Sequence, residues 1–238
     1  MGQLESGLER NSLLKSLEPD DLAWMAPQLK TMHLRAGDVL AVEDEPFTHV
    51  YFPQSAVLSV TNSISGGTVE VGTIGNEGMA GISAFLDGDG LPSRTFAQLA
   101  GEVKRMSAAA FAAGFDERPA LRKLVLRYTK AYLVQVAQTA ACNRGHDIKS
   151  RCARWLLMTQ DRVDGAPTFE LTHQFLAFML GVRRAGVTVA AGTLKDAGLI
   201  RYARGTITVL DREGLEAASC ECYSVARTYM QRAVGKLA

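Results

Sequence analysis

Two adjacent arginines, Arg183 and Arg184, stand at the start of a predicted helix in the last quarter of the sequence. A third arginine, Arg204, lies in a predicted turn further along the chain. Guanidinium groups donate paired hydrogen bonds to guanine edges and single ones to phosphate oxygens. These three residues are therefore candidates for contacts with a nucleic acid.

The residues around the arginine pair have the spacing of two helices joined by a tight turn. Residues 171–194 read LTHQFLAFMLGVRRAGVTVAAGTL. Thr172 is an N-cap candidate, Ala177 is small enough for a second helix to cross closely, and Gly181 suits a turn with positive φ. Val187, six residues after Gly181, falls on the inner face of the second helix. This pattern predicts a helix-turn-helix.

A β-hairpin with a basic tip is predicted after the second helix. Ile200 to Tyr202 and Thr206 to Leu210 read as two short strands around Arg204, and such a wing can contact a phosphate backbone. An ordinary helical hairpin with solvated arginines is the alternative. The candidate DNA-contacting residues are Thr172, Arg183, Arg184, Gly186, Thr188 and Arg204.

The net charge of +1 conceals an uneven distribution. Residues 1–147 carry 13 Lys and Arg against 17 Asp and Glu, whereas residues 148–238 carry 13 against 8. The first part is thus acidic and the last part basic. This asymmetry favours contact of the C-terminal part alone with a polyanion.

The region from Leu34 to about Met106 consists of short apolar and β-branched runs separated by turns. Several strands at such spacing predict a compact antiparallel barrel or sandwich. The strand candidates are Val50-Tyr51-Phe52, Val57 to Val60, Thr68 to Ile74 and Arg94 to Leu99. Short helices precede this region, the second of them giving way near His33. Ser107 is a plausible N-cap for the helix that follows it.

A long helix is predicted from Pro119 to Ala141, followed by a hinge at Gly145-His146-Asp147, and the helix has two apolar faces. One face follows an a/d-like spacing of three and four residues, and the other comprises Val125, Tyr132, Leu133 and Val136. We expect one face to pack on the barrel and the other on a twin helix; a core helix of a monomer is the alternative. The predicted dimer contacts are Leu121, Leu124, Tyr128, Ala131 and Gln135.

The order of barrel, long helix, hinge, helix-turn-helix and wing resembles the Crp/Fnr family of bacterial transcription regulators. The most specific segments are LTHQFLAFMLGVRRAGVTVAAGTLKDAGLI and RGTITVLDREGLE, and LRAGD and HVYF give looser support. The resemblance implies an α+β fold: a cyclic-nucleotide-binding-like β-roll, a dimerisation helix and a winged helix-turn-helix. The implied divisions are 1–33 for N-terminal helices, 34–115 for the β-roll sensor, 116–145 for the dimerisation helix and hinge, and 146–238 for the DNA-binding domain.

The same resemblance implies a homodimer that binds double-stranded DNA at a two-fold symmetric operator and works with RNA polymerase. Arg184 matches the family arginine that reads guanine. Ala185 and Val189 stand where well-known members carry a base-reading Glu and a second Arg. The half-site is therefore expected to differ from theirs.

Effector binding is expected to differ as well. Family members that bind cyclic nucleotides hold the ribose with a Gly-Glu pair and the phosphate with Arg-Ser/Thr-Ala. The matching positions here are Gly81 and Ile82, then Arg94, Thr95 and Phe96. Arg94 and Thr95 could still hold an anion, with Arg94 as a solvated strand residue the alternative. Because Ile82 cannot accept a hydrogen bond, binding of cAMP in the usual way is not expected, and the effector stays unknown.

No metal site and no cofactor are expected from spacing alone. Cys220 and Cys222 are not spaced as a CxxC half-site, and Cys142 and Cys152 read as packing residues. The histidines show no mutual metal spacing, and haem ligation by one of them stays open.

No motif for hydrolysis or phosphate binding occurs, so an enzyme is not expected. The chain has no apolar run long enough for a membrane span and no signal-like start. Four cysteines in this length favour a reducing cytoplasm. A ligand sensor acting through protein partners rather than DNA is the alternative function.

Overall fold

The computed structural model describes residues 10–65, 67–163 and 166–235. Two short helices come first, followed by a 3-10 turn; they are α1 (Ser12–Lys15), α2 (Pro19–Met25) and Ala26–Gln28. Leu13, Leu14 and Met25 are buried in the core of the domain that follows. The N-terminal helices therefore belong to the same hydrophobic unit as the strands.

Seven antiparallel strands in two sheets form the β-roll. One sheet has the order β1-β7-β3 and the other β2-β6-β4-β5. All four predicted strand candidates are confirmed, whereas β1 already begins at Lys30, where the sequence predicts helix, because Lys30 pairs with Arg105 of β7. The strands are β1 (Lys30–Leu34), β2 (Val39–Ala41), β3 (His49–Pro53), β4 (Val57–Ile64), β5 (Gly67–Ile74), β6 (Arg94–Leu99) and β7 (Gly101–Ser107).

Two helices leave the β-roll, α3 (Ala108–Glu117) and α4 (Pro119–Gly145). The Ser107 hydroxyl caps α3 by accepting a hydrogen bond from the Ala110 N–H at 3.1 Å, as predicted. Pro119 opens α4, where its missing N–H costs nothing. At 27 residues, α4 is about 40 Å long.

The face of α4 that the sequence predicts to contact a second protomer is instead packed inside its own protomer. The Tyr128 hydroxyl donates to the Met79 carbonyl at 2.8 Å, and the Gln135 amide donates to the Thr73 carbonyl at 2.8 Å. The predicted interface residues cannot face a second chain in this structure, because the β-roll and other helices of the same protomer cover them. None of them is more than 4% exposed: Leu121, Leu124, Tyr128, Ala131 and Gln135.

A different row of α4 residues faces outward. Leu126 and Leu133 are 47% and 59% exposed and lie seven residues apart. We call this row the exposed stripe; it comprises Leu126, Lys130, Leu133, Ala137 and Ala140. Val125 and Tyr132 of the second predicted apolar face are buried as well, at 1% and 7% exposure, and of that face only Leu133 belongs to the exposed stripe.

The C-terminal part begins with α5, whose N-terminus the Asp147 carboxylate caps by accepting from the Ser150 N–H at 3.0 Å. Its three strands form one sheet in the order β8-β10-β9, and the predicted wing is confirmed as β9 and β10. The last helix, α9, returns to pack along α4. The elements are α5 (Ile148–Arg162), β8 (Thr168–Glu170), α6 (His173–Leu180), α7 (Arg184–Asp196), β9 (Ile200–Ala203), β10 (Thr206–Val209), α8 (Arg212–Ala218) and α9 (Cys222–Val234).

Polar contacts join the β-roll to α5. The Trp155 indole N–H donates to Glu70 at 2.9 Å. The Arg162 guanidinium pairs with Glu77 at 2.7 Å, and both partners are buried. Phe96 of β6 lies in the hydrophobic cluster of the C-terminal part. The two domains are therefore closely docked in this structure.

Within the described part of the chain, no single helix is long and apolar enough to cross a membrane. Only α6 and α7 taken together, as a pair bent by 107°, have the length and composition of a broken span.

Candidate nucleic-acid interface

The helix pair α6 and α7 has the geometry of a helix-turn-helix. The two helices meet at 107°, within the range that this motif shows. Gly181 ends α6 with φ of 61°, a left-handed conformation that costs little only for glycine. A Cβ at this position would also lie 2.6 Å from the Val69 side chain of β5. Both the turn and the neighbouring sheet thus require glycine here.

Buried side chains fix the orientation of α7. Its inner face comprises Val187, Ala190, Ala191 and Leu194, all at most 4% exposed. They pack in one cluster with residues of α5 and α6. The opposite face of α7 is consequently held outward, and we call α7 the recognition helix.

The two arginines lie at the exposed N-terminal end of the recognition helix. Arg183 is its N-cap residue, in an extended conformation, and no side chain caps the helix there. Arg184 is the first helical residue, and both side chains are exposed. Val189 is 70% exposed on the same helix, and Ala185 is exposed as well. The outward face therefore offers two cations and an apolar surface.

The other predicted contact residues have local structural contacts. The Thr172 hydroxyl caps α6 by accepting from the Phe175 N–H at 3.1 Å. The Thr188 hydroxyl donates to the Arg184 carbonyl at 3.1 Å. Gly186 is half-buried, and a Cβ there would lie 3.1 Å from the Ile148 side chain. Gly186 thus permits the close approach of α7 to α5, a packing role that the sequence did not reveal.

The wing turns sharply at its basic tip. Arg204 and Gly205 have φ of 49° and 80°, as in the two-residue turns that suit hairpin twist. A non-glycine residue in this conformation costs about 1–2 kcal/mol. The exposed Arg204 is thus kept at a position that asparagine or glycine would occupy with less strain.

Sequence reasoning missed how the wing is held beside the helices. The His173 ring stacks on Tyr202 of β9, with centroids 4.1 Å apart, and its Nδ1 lies 3.3 Å from the Thr188 hydroxyl. Burial, followed by the nearby Arg184 charge, lowers the pKa of His173 below 6.5. The ring is therefore neutral at physiological pH and connects α6, α7 and the wing by stacking and hydrogen bonding.

The predicted effector residues are split between a small cavity and the surface. Gly81, Ile82 and Thr95 line a cavity of about 30 Å³, which Tyr132 of α4 also lines. That volume holds about one water molecule, whereas ligand pockets usually measure about 300–1,000 Å³. Arg94 is exposed instead, with its guanidinium 5.7 Å from the centroid of the Phe96 ring.

The sequence predicts no group of metal-ligating residues, and the structure shows that this prediction is wrong. Cys142, His146, Cys220 and Cys222 lie together, with ligand atoms all within 4.8 Å of one another. The helix α9 begins only at Cys222, so Cys220 and Cys222 are not two neighbours on one helix. Spacing could not reveal the group, because Cys142 and Cys220 are 78 residues apart.

Two family models match the chain. Residues 31–118 match the cyclic nucleotide-binding domain, and residues 150–218 match the Crp-like helix-turn-helix domain. No curated protein matches the sequence significantly.

Solved structures show the same fold. FixK2 from Bradyrhizobium japonicum has a TM-score of 0.70 at 16% identity, covering 81% of this chain and 98% of that chain. A CRP-family transcriptional regulator from Thermus thermophilus has 0.66 at 19%, covering 79% and 96%. The c-di-GMP-responsive global regulator CLP from Xanthomonas campestris has 0.65 at 14%, covering 81% and 99%. With a sensor-type β-roll, a long helix and a winged helix-turn-helix in this order, the chain belongs to the Crp/Fnr family of transcription regulators.

Proposed function

We propose that this protein is a homodimeric, sequence-specific DNA-binding regulator that reads an inverted repeat with the recognition helix. One observation carries the proposal: Arg183 and Arg184 are exposed at the uncapped start of α7, beside a wing with the exposed Arg204 at its tip. The helix N-terminal end is the part of a recognition helix that contacts bases in the major groove.

The three arginines make different contacts with DNA because they lie at different positions. Arg184 makes a paired hydrogen bond to guanine in each half-site, since it is the first helical residue and its side chain is exposed. Arg183 contacts phosphate together with the free backbone N–H groups of the helix start. Arg204 reaches the backbone from the wing and adds affinity without base preference.

The apolar residues on the outward face of the recognition helix limit which half-site sequences we expect. Val189 is 70% exposed, and aliphatic side chains contact the methyl group of thymine in the major groove. Ala185 offers a smaller surface of the same kind. We therefore expect a half-site that combines a guanine, read by Arg184, with a thymine close to it.

Dimerisation uses the exposed stripe of α4 in place of the buried face. Leu126 and Leu133 from each protomer meet across a two-fold axis, as the a/d spacing of a helix pair requires. Crp/Fnr proteins form dimers of this kind, and a two-fold axis would present two recognition helices to successive major grooves. RNA polymerase as a partner and a cytoplasmic location stay predictions.

The β-roll does not bind cAMP in the usual way. Its cavity holds about one water molecule, and Ile82 offers no acceptor to a ribose hydroxyl. Burying that hydroxyl without a partner costs about 1–3 kcal/mol. Any effector must therefore open the cavity or bind elsewhere on the sensor.

Fluorescence anisotropy with labelled duplexes tests the proposal. The full chain is titrated into a duplex from a selected pool and into a shuffled duplex, each at several salt concentrations. We expect affinity that falls linearly with the logarithm of salt and a preference for the selected duplex. Equal affinity for both duplexes, or none for either, would favour the sensor that acts through protein partners.

A further inference from the structure

Three cysteines and one histidine meet where the long helix α4 ends. Cys142 and His146 come from its last turn and its C-cap, and Cys220 and Cys222 from the start of α9. The Cys142 and Cys220 sulfurs are 3.5 Å apart, and the Cys222 sulfur lies 3.7 Å from His146 Nδ1. All three cysteines are buried. We call these four residues the cysteine–histidine cluster.

These separations suit four ligands around one ion. Zinc–sulfur bonds of about 2.3 Å in a tetrahedron place neighbouring sulfurs about 3.8 Å apart. The Cys142 and Cys220 sulfurs are 3.5 Å apart, which is close to that value. The 3.7 Å between the Cys222 sulfur and His146 Nδ1 is close to the ~3.6 Å expected when one of the two ligands is a nitrogen with a zinc–nitrogen bond of about 2.0–2.1 Å. Three thiolates and one imidazole are an established donor set for structural zinc. We infer that the cysteine–histidine cluster binds a single zinc ion.

The surroundings of His146 support this assignment. Its Nε2 lies 3.2 Å from the Glu221 carboxylate, which leaves Nδ1 directed at Cys222 as the ligand atom. Histidines that bind zinc commonly donate their other ring N–H to a carboxylate in this way, which fixes the tautomer. Glu221 is itself exposed, so its contact with His146 is not imposed by burial.

Positive charge nearby balances the thiolates. Arg151 and Arg154 of α5 both lie close enough to Cys142 to interact electrostatically with its sulfur. Zinc with three thiolates carries a net charge of −1, which such guanidinium groups offset. A disulfide between Cys142 and Cys220 is the competing chemistry, but it would leave Cys222 and the His146–Glu221 contact without a role.

The position of the ion gives it a structural consequence. It would fix the end of α4, and the hinge after it, to the start of α9. This consequence rests on the proposed function. In the proposed dimer, zinc would set the orientation of the DNA-binding domain relative to α4. Zinc binding itself does not depend on DNA binding and is measured separately.

Metal analysis of the full chain tests the inference. The protein is purified under reducing conditions, supplied with zinc, desalted and analysed by mass spectrometry for metals. We expect about one zinc per chain, and loss of it in Cys142→Ser and Cys220→Ser. The matched control is Cys152→Ala, since Cys152 is buried in the separate core of the C-terminal part and should leave the zinc content unchanged.

A milder variant avoids the risk of misfolding. Glu221→Ala alters only the exposed carboxylate beside His146, and we expect zinc affinity to fall about 10–100-fold in competition with a chelator. Cobalt added to the metal-free wild type should give the intense visible bands of tetrahedral thiolate coordination.

Three outcomes would overturn the inference. They are reduced wild type that takes up no stoichiometric zinc, zinc that is retained when Cys142 and Cys220 are both replaced, and a pale octahedral cobalt spectrum. A Cys142–Cys220 disulfide in protein that binds no zinc after reduction would assign the cluster to redox chemistry instead.

Discussion

Arg204 combines an unfavourable backbone conformation with a side chain that has no described hydrogen bond or ion pair. Its φ of 49° is the left-handed conformation that Asn adopts at lower cost. Backbone strain of this kind at an exposed turn points to a functional role of the side chain at the tip. The long cationic side chain extends the reach of the wing toward a phosphate.

Replacing Arg204 with Asn separates turn geometry from charge. Because Asn suits the turn, we expect the fold to be kept while affinity for all duplexes falls alike. The slope of log affinity against log salt should become shallower by about one unit per protomer. Arg232→Asn, on α9, is the matched control and should leave the slope unchanged. A change of sequence preference in Arg204→Asn would contradict the backbone role.

Glu70 is the buried carboxylate at the boundary between the β-roll and α5. It accepts hydrogen bonds from Trp155 and from the Thr73 hydroxyl, both at 2.9 Å. Desolvation by burial nevertheless raises its pKa above the ordinary 4.5, outweighing these bonds, the Ser59 hydroxyl and the Arg162 charge. Between pH 4.5 and this raised pKa, Glu70 thus holds a proton in the folded chain that it has released in the unfolded chain.

This pKa shift gives stability a definite pH dependence. Above pH 4.5 the folded state holds more protons at Glu70 than the unfolded state, so its contribution to stability falls as pH rises through the folded pKa. Glu70→Gln lacks this titration. The stability of the variant relative to the wild type should therefore increase as the pH rises from 4.5 to the folded pKa of Glu70. Urea unfolding at several pH values in this interval measures the difference.

The exposed Glu117 provides the control for this measurement, as Glu117→Gln. A difference between Glu70→Gln and wild type that is constant over the interval would show that Glu70 does not titrate as described.

At the scale of elements, α4 buries most of its apolar residues inside its own protomer and leaves the exposed stripe uncovered. Charges introduced on the exposed stripe should face like charges across the two-fold axis. We expect Leu126→Glu with Leu133→Glu to give monomers in light scattering while the circular dichroism spectrum is unchanged. Affinity for the inverted repeat should fall with loss of the dimer.

An equally exposed leucine outside α4 serves as the control. Leu86 is 58% exposed in the β-roll, and Leu86→Glu should stay dimeric. If the double variant on α4 also stays dimeric, the interface lies elsewhere on the molecule.

Many of the elements could be predicted, because their signals are local, whereas β1 lies where the sequence predicts helix. Ser107 and Thr172 announce helix starts through their capping side chains, and Gly181 marks the turn through its backbone freedom. The exposed face of α4 could not be predicted, because more than one row of the helix has the same spacing of three and four residues. The cysteine–histidine cluster could not either, since its ligands come from elements that only the tertiary fold brings together.

On the scale of the whole molecule, the sensor and the DNA-binding domain are joined through buried side chains. Arg162 of α5 pairs with Glu77, and it also donates to Gln135 of α4 at 2.8 Å. Gln135 in turn donates to the carbonyl of Thr73 in β5, and the next residue of that strand, Ile74, lines the cavity of the β-roll. These hydrogen bonds form one continuous network from the β-roll to the first helix of the C-terminal part.

The small size of the cavity in the β-roll predicts the response to a cyclic nucleotide. Calorimetry of the full chain with cAMP should give no measurable heat of binding, because Ile82 lacks an acceptor and the space is too small. Arg94→Ala should behave as the wild type does. Micromolar binding that disappears in Arg94→Ala would show that the β-roll opens into a nucleotide site.

Selection from a random DNA library tests the central claim most directly, with wild type and Arg184→Ala compared side by side. Two recognition helices related by a two-fold axis should select an inverted repeat whose half-site centres lie about 34 Å apart. Arg184→Ala should lose preference at one base pair per half-site, a discrimination of about 1–3 kcal/mol per contact. A variant that recovers the same half-site as the wild type would contradict direct readout by Arg184, and an unsymmetric selected site would contradict the dimeric arrangement.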